Sequence, residues 1–86
     1  MRTQRSLAPP TLLASVQQEW RAAVGDSIAD NAQPASERNG VVTVRCDSSV
    51  WAAELTMLAP SLCSTLDEAL GQERRVRGLK FVVDPS

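Results

Sequence analysis

The stretch Asn39-Gly40-Val41-Val42-Thr43-Val44-Arg45-Cys46-Asp47-Ser48-Ser49 decides the fold. Asn-Gly is the strongest short-range signal for a two-residue hairpin turn, because both turn positions need a positive φ that these residues adopt readily. The six residues after it are rich in β-branched side chains and alternate. Val42, Val44 and Cys46 fall on one face, and Val41, Thr43 and Arg45 on the other. Asp47, Ser48 and Ser49 then offer three helix N-caps in a row. A strand entered through a hairpin and left through a helix start needs a partner strand before it and a crossover after it.

Upstream, Leu12, Leu13, Val16, Trp20, Ala23 and Val24 recur at spacings of three and four, one face of an amphipathic helix. Pro9-Pro10-Thr11 opens it, since proline suits a first turn whose N–H groups have no intrahelical partner. Gly25 follows where helices commonly end in a left-handed residue. Asp26 is placed to cap a short turn through Ala29, with Ile28 facing inward. Ala32 to Ser36 reads as the hairpin's first strand, and Pro34 confines it to a sheet edge.

Downstream, Trp51, Leu55, Leu58, Leu62, Leu66, Ala69 and Leu70 hold helical phase across Pro60. That predicts one kinked helix, or two nearly continuous ones, ending at Gly71. Val76 to Val83 is the last strand, with Leu79, Phe81 and Val83 sharing a face. The order helix, strand, strand, long helix, strand specifies an α+β fold. A crossover between strands is normally right-handed, which leaves one helical layer on one face of a three-stranded sheet. Residues 1–8 are expected to form a flexible N-terminal segment, and 9–84 a single domain.

The 86 residues allow one domain with a thin stability margin. No apolar run approaches the roughly 18 residues of a membrane span. Pro9-Pro10 stands where a signal peptide would carry its apolar region, so a cytoplasmic chain with reduced thiols is expected. The sequence has no histidine and two isolated cysteines, Cys46 and Cys63. That excludes an ordinary four-ligand zinc site and the commonest general base. Adjacent Asp67 and Glu68 point about 100° apart on a helix and read as a solvated face. No phosphate-cradling glycine loop is present. No metal, no cofactor and no catalysis are expected, and the chain reads as a binding module.

The net charge of −1 argues against tight nonspecific nucleic-acid binding. A local patch stands out nonetheless. Arg74, Arg75, Arg77 and Lys80 fall within seven positions at the entry to the last strand, and Arg45 sits on the exposed-parity face of its neighbour. Arg75 and Arg77 share parity with Leu79 and Phe81, so the strand must start late or twist there. Such a cluster suits a weak, salt-sensitive contact with nucleic acid; a solvated charge cluster balanced by Glu73 is the alternative. Trp20 and Trp51 lie in phase with helical apolar stripes and are read as core residues rather than stacking platforms.

Trp20, Val24-Gly25 and Ile28-Ala29 resemble the W-x3-V-G-x2-I-A signature of the DciA family, bacterial proteins linked to loading the replicative DNA helicase. The resemblance continues through Pro34, Gly40 to Val44, and Ser49-Val50-Trp51-Ala52-Ala53-Glu54-Leu55. It closes with Leu58, Leu62, Leu66, Gly71, Val76, Leu79 and Phe81. It implies a KH-like fold with Trp20, Gly25, Gly40, Trp51 and Leu55 as structural positions. It also implies the replicative helicase and single-stranded or duplex DNA as partners, in a nucleoid-associated setting. The G-x-x-G nucleic-acid loop of KH domains is absent, since Gly25 is followed by Asp26-Ser27-Ile28. Longer members carry extensions, and this sequence stops at Ser86. A KH-like RNA-binding module and a plain protein-interaction domain are the competing readings.

Overall fold

The computed structural model describes residues 11–71 and 75–83. The chain runs α1 (Leu12–Val24), α2 (Asp26–Asn31), β1 (Ala32–Arg38), β2 (Val41–Cys46), α3 (Ser49–Leu70) and β3 (Gly78–Val83). The expected N-terminal segment, Pro9, Pro10 and Arg74 lie outside the described residues.

Thr11 caps α1, its hydroxyl accepting from the Ala14 N–H at 3.1 Å. Gly25 ends the helix at φ 94° and is also the N-cap of α2. The expected cap at Asp26 is therefore corrected. Asp26 is the first residue of α2, where its charge complements the helix dipole, and the helix runs past Ala29 to Asn31. Trp20 is buried, and its indole N–H donates to the Ala32 carbonyl at 2.8 Å. That bond ties α1 to the first residue of β1.

β1 and β2 form the expected hairpin. Asn39 and Gly40 both take positive φ, 55° and 87°, as a two-residue turn with native twist requires. The Glu37 carboxylate accepts the Gly40 N–H at 2.7 Å. β1 lies at the sheet edge, and the register shifts between Pro34 and Ser36, so Ala35 is an extra residue. β3 pairs parallel to β2, giving the order β1-β2-β3.

One sheet face is covered. Val42, Val44 and Cys46 are buried, opposite Leu79, Phe81 and Val83 of β3. Against them pack Val16 and Trp20 of α1, Ala29 of α2, and Leu55, Leu62 and Leu66 of α3. α1 sits over β1 and α3 over β3, and the two helices touch each other. A three-stranded sheet with its helices on one face is consistent with a KH-like fold.

α3 is a single 22-residue helix through Pro60, capped by the Ser48 hydroxyl, which accepts the Trp51 N–H at 3.3 Å. Its apolar arc is wider than the layer beneath it. Leu55, Leu62 and Leu66 are buried at the centre of the arc. Leu58, on the flank, is 46% exposed, and Ala69 is exposed. Trp51, expected in the core, is half-buried on the same flank and packs against the core's margin.

The last strand starts at Gly78 rather than Val76. Two bonds hold the segment before it. The Val76 N–H donates to Asp67 Oδ1 at 2.8 Å, and the Arg77 N–H to the Gly40 carbonyl at 2.8 Å. Asp67 is thus half-buried and engaged, in contrast to the solvated face expected of it.

Candidate nucleic-acid interface

The cations expected to form one cluster separate into three places. Arg75 is exposed beside a shallow depression that it lines with Asp67, Glu68 and Gly71, at the C-terminal end of α3. The same depression holds two carboxylates at the negative end of a helix dipole, and Arg75 forms no ion pair with either. Arg77 lies just ahead of β3 with its aliphatic stem over the hairpin turn. A Cβ placed on Gly40 would come within 2.7 Å of the Arg77 Cγ. Lys80 and Arg45 share the sheet face that none of the described elements covers, the uncovered face. Lys80 pairs with Thr43, and Arg45 lies two positions along β2 from Thr43. The late strand start resolves the parity conflict, because Arg75 and Arg77 precede the strand. Arg74 lies outside the described residues.

The uncovered face also holds Arg38, which sequence reasoning passed over. It pairs with Val41 across the turn and is exposed. Its position was legible, because the residue before an Asn-Gly turn must oppose the residue after it. The uncovered face then reads as three rows across the strands. Arg38, Val41 and Gly78 form the first, Ser36, Thr43 and Lys80 the second, and Gln33, Arg45 and Val82 the third. These nine positions include three cations and no carboxylate. Glu37 has the opposite parity, and Asp47 follows the end of β2.

Ideal sheet spacings put Lys80 about 8 Å from Arg45 and about 12 Å from Arg38 at the backbone. Among the described residues the ion pairs are those of Arg21, whose guanidinium meets Asp26 at 3.0 Å and Asp30 at 2.9 Å. Hydrogen bonding to Asp30, then to Asp26, raises its pKa above the ordinary arginine value. Arg21 serves to tie α1 to α2.

Other chemistry is sparse among the described residues. No three His, Cys, Asp or Glu side chains gather as a metal-binding set, and no helix is long and apolar enough to cross a membrane. Cys46 is buried and Cys63 half-buried, both free. Burial, then Asp47, pushes the Cys46 thiol pKa up, and burial, then Asp67, does the same at Cys63. Raised thiol pKa values are the reverse of what a nucleophilic cysteine needs.

Comparison with known proteins gives the geometry a setting. The family described as "Dna[CI] antecedent, DciA" matches residues 1–81. A UPF0232 protein of Streptomyces avermitilis is 38% identical over 71 residues, covering 80% of this chain and 39% of that protein. Its Bifidobacterium longum counterpart is 37% identical over 67 residues, covering 78% and 39%. A Mycobacterium tuberculosis UPF0232 protein is 36% identical over 63 residues, covering 73% and 33%. The matches therefore take in well under half the length of these curated relatives.

Proposed function

Because the chain belongs to the DciA family, we propose that it is a non-enzymatic replication adaptor. In this reading it binds the replicative DNA helicase and DNA, and it assists placement of the helicase on the strand. Family membership supports a replication-related role in general. The DNA half of the reading is carried by one observation, the uncovered sheet face that holds Arg38, Arg45 and Lys80 without a carboxylate. A cationic strip on a chain of net charge −1 concentrates attraction for phosphate on one side of the molecule.

An adaptor needs contacts and no bond chemistry, which suits a chain without histidine or a G-x-x-x-x-G-K-[ST] loop. In such a role the helical layer and the basic face look in opposite directions, so protein and DNA need not compete for surface. The test is reconstitution with purified helicase hexamer and a forked DNA. Co-migration with the hexamer and increased helicase occupancy of the fork are expected. In a pull-down from bacterial lysate, ribosomal or other RNA partners in place of helicase would point to the RNA-binding alternative, and self-association alone to an interaction domain.

A further inference from the structure

We infer that the uncovered face of the sheet is the phosphate-contact surface, with Arg38, Arg45 and Lys80 as its contacts, and that it holds nucleic acid without reading bases. This rests on the DNA-binding half of the function proposed above and deepens it.

The argument begins with what surrounds each cation. Arg75 lines a depression together with Asp67 and Glu68 at a helix C-terminus, so a phosphate approaching there also faces two carboxylates. Arg77 precedes β3 and so lies outside the three rows of the sheet face, with its stem seated on Gly40 and its backbone N–H bonded to the Gly40 carbonyl. Arg21 is engaged by two aspartates. Arg38, Arg45 and Lys80 are exposed, in no ion pair among the described residues, and project from one rigid pleated surface. Their heads extend from a triangle about 14 Å across on ideal sheet spacings, wide enough for two or three successive phosphates.

What lies between the cations sets the specificity. The intervening positions are Val41, Thr43 and Val82, with no aromatic ring for a base to stack on. Val41 and Val82 offer neither a stacking plane nor a hydrogen-bonding edge. The Thr43 and Ser36 hydroxyls donate and accept alike and so distinguish bases poorly, and the Gln33 amide is engaged by the Ala29 carbonyl at 2.6 Å. Phosphate contacts alone carry no sequence information directly. The occupant is thus a phosphate backbone; an acidic protein segment is the alternative that the experiment separates.

The experiment measures binding of fluorescent single strands and duplexes between 50 and 200 mM salt, with the intact protein. Three contacts give log–log slopes of about −2.1 for single strands and about −2.7 for duplex. Affinity then falls about 18-fold and about 40-fold over that range. Arg38→Ala, Arg45→Ala and Lys80→Ala are each expected to flatten the slope by about 0.7 on single strands and about 0.9 on duplex. The triple variant should lose salt-dependent binding, with circular dichroism confirming the fold. Lys80→Arg should keep the slope, and Arg75→Ala should leave it unchanged. Mixed, T-rich and purine-rich strands of one length should bind within about twofold of each other.

An unchanged slope in the three single variants, together with a loss at Arg75→Ala, sinks the surface assignment and leaves the adaptor reading standing. A strong base preference sinks the claim of base-blind contact. If the wild type shows no salt-dependent DNA binding but captures polyglutamate through Arg45 and Lys80, the occupant is an acidic protein, and the DNA half of the proposed function falls as well.

Discussion

The two tryptophans show how far a side chain's worth depends on its surroundings. Trp20 is 2% exposed and donates to a strand carbonyl, whereas Trp51 rests half-covered on the flank of α3. Trp20→Ala is expected to cost about 3–5 kcal/mol, as for a fully buried aromatic. Trp51→Ala should cost about 1–3 kcal/mol. Trp20→Phe removes the indole N–H together with part of the ring and should cost about 2–4 kcal/mol, the Ala32 carbonyl losing its donor and the void left behind adding to the loss. Urea unfolding of the three variants checks this order, and equal losses at the two tryptophans would contradict it. The cysteines add a pH dependence. Burial raises both thiol pKa values in the fold, while the unfolded chain titrates near the ordinary value of about 8.5. Above that pH the unfolded state releases protons that the folded state retains. Stability is therefore full below about pH 8.5 and is lost as pH climbs toward the folded values. Cys46→Ala with Cys63→Ala should flatten the stability profile above about pH 8.5, measured by urea midpoints.

At the scale of elements, Pro60 is the feature most open to test. Proline has no N–H to give the Thr56 carbonyl four residues back, so one bond of the helix ladder is missing there. Pro60 is exposed, so Pro60→Ala should restore the missing bond without disturbing the core and stabilise the protein by about 1–3 kcal/mol. A loss of thermal midpoint would mean that the helix's shape at Pro60 is required for packing. The elements themselves were legible wherever one local signal dominated. Asn39-Gly40 set the hairpin, the run Asp47-Ser48-Ser49 marked the start of α3, and the alternation of Val42, Val44 and Cys46 set the covered face. The misreadings share a physical cause. Periodicity says which residues share an arc, but how much of that arc is covered is set by the neighbouring layer, which is why Leu58 and Trp51 were placed too deep. The candidate site was half legible for a related reason. Arg45 followed from strand parity and Lys80 from its place among the clustered cations, whereas the separation of Arg75 and Arg77 from them depends on where β3 begins. That boundary is fixed by Asp67 and Gly40, distant in sequence, through their bonds to Val76 and Arg77.

For the molecule as a whole, the division into a covered face and an uncovered one puts the helical layer and the cations on opposite sides of a single sheet. Charge changes on the uncovered face should therefore alter salt-dependent binding while leaving stability within about 0.5 kcal/mol, as surface substitutions usually do. The parallel pairing has a kinetic consequence as well. Val41 and Gly78, paired in the sheet, are 37 positions apart, while Arg38 and Val41 close across two residues. Hairpins form within about 1–10 μs; the β2–β3 ladder must first bring distant segments together and bear the loop-closure entropy before any contact rewards it. The barrier to folding then belongs to the assembly of β2, α3 and β3. Val44→Ala and Leu66→Ala should slow refolding in stopped-flow experiments, and Trp20→Phe should act mainly by speeding unfolding. If Trp20→Phe slowed refolding as much as the others, α1 would have to dock before the rate-limiting step. On the order expected, a nascent chain carries an exposed β2 edge until β3 reaches it, and that interval is when it is most open to pairing with the wrong strand.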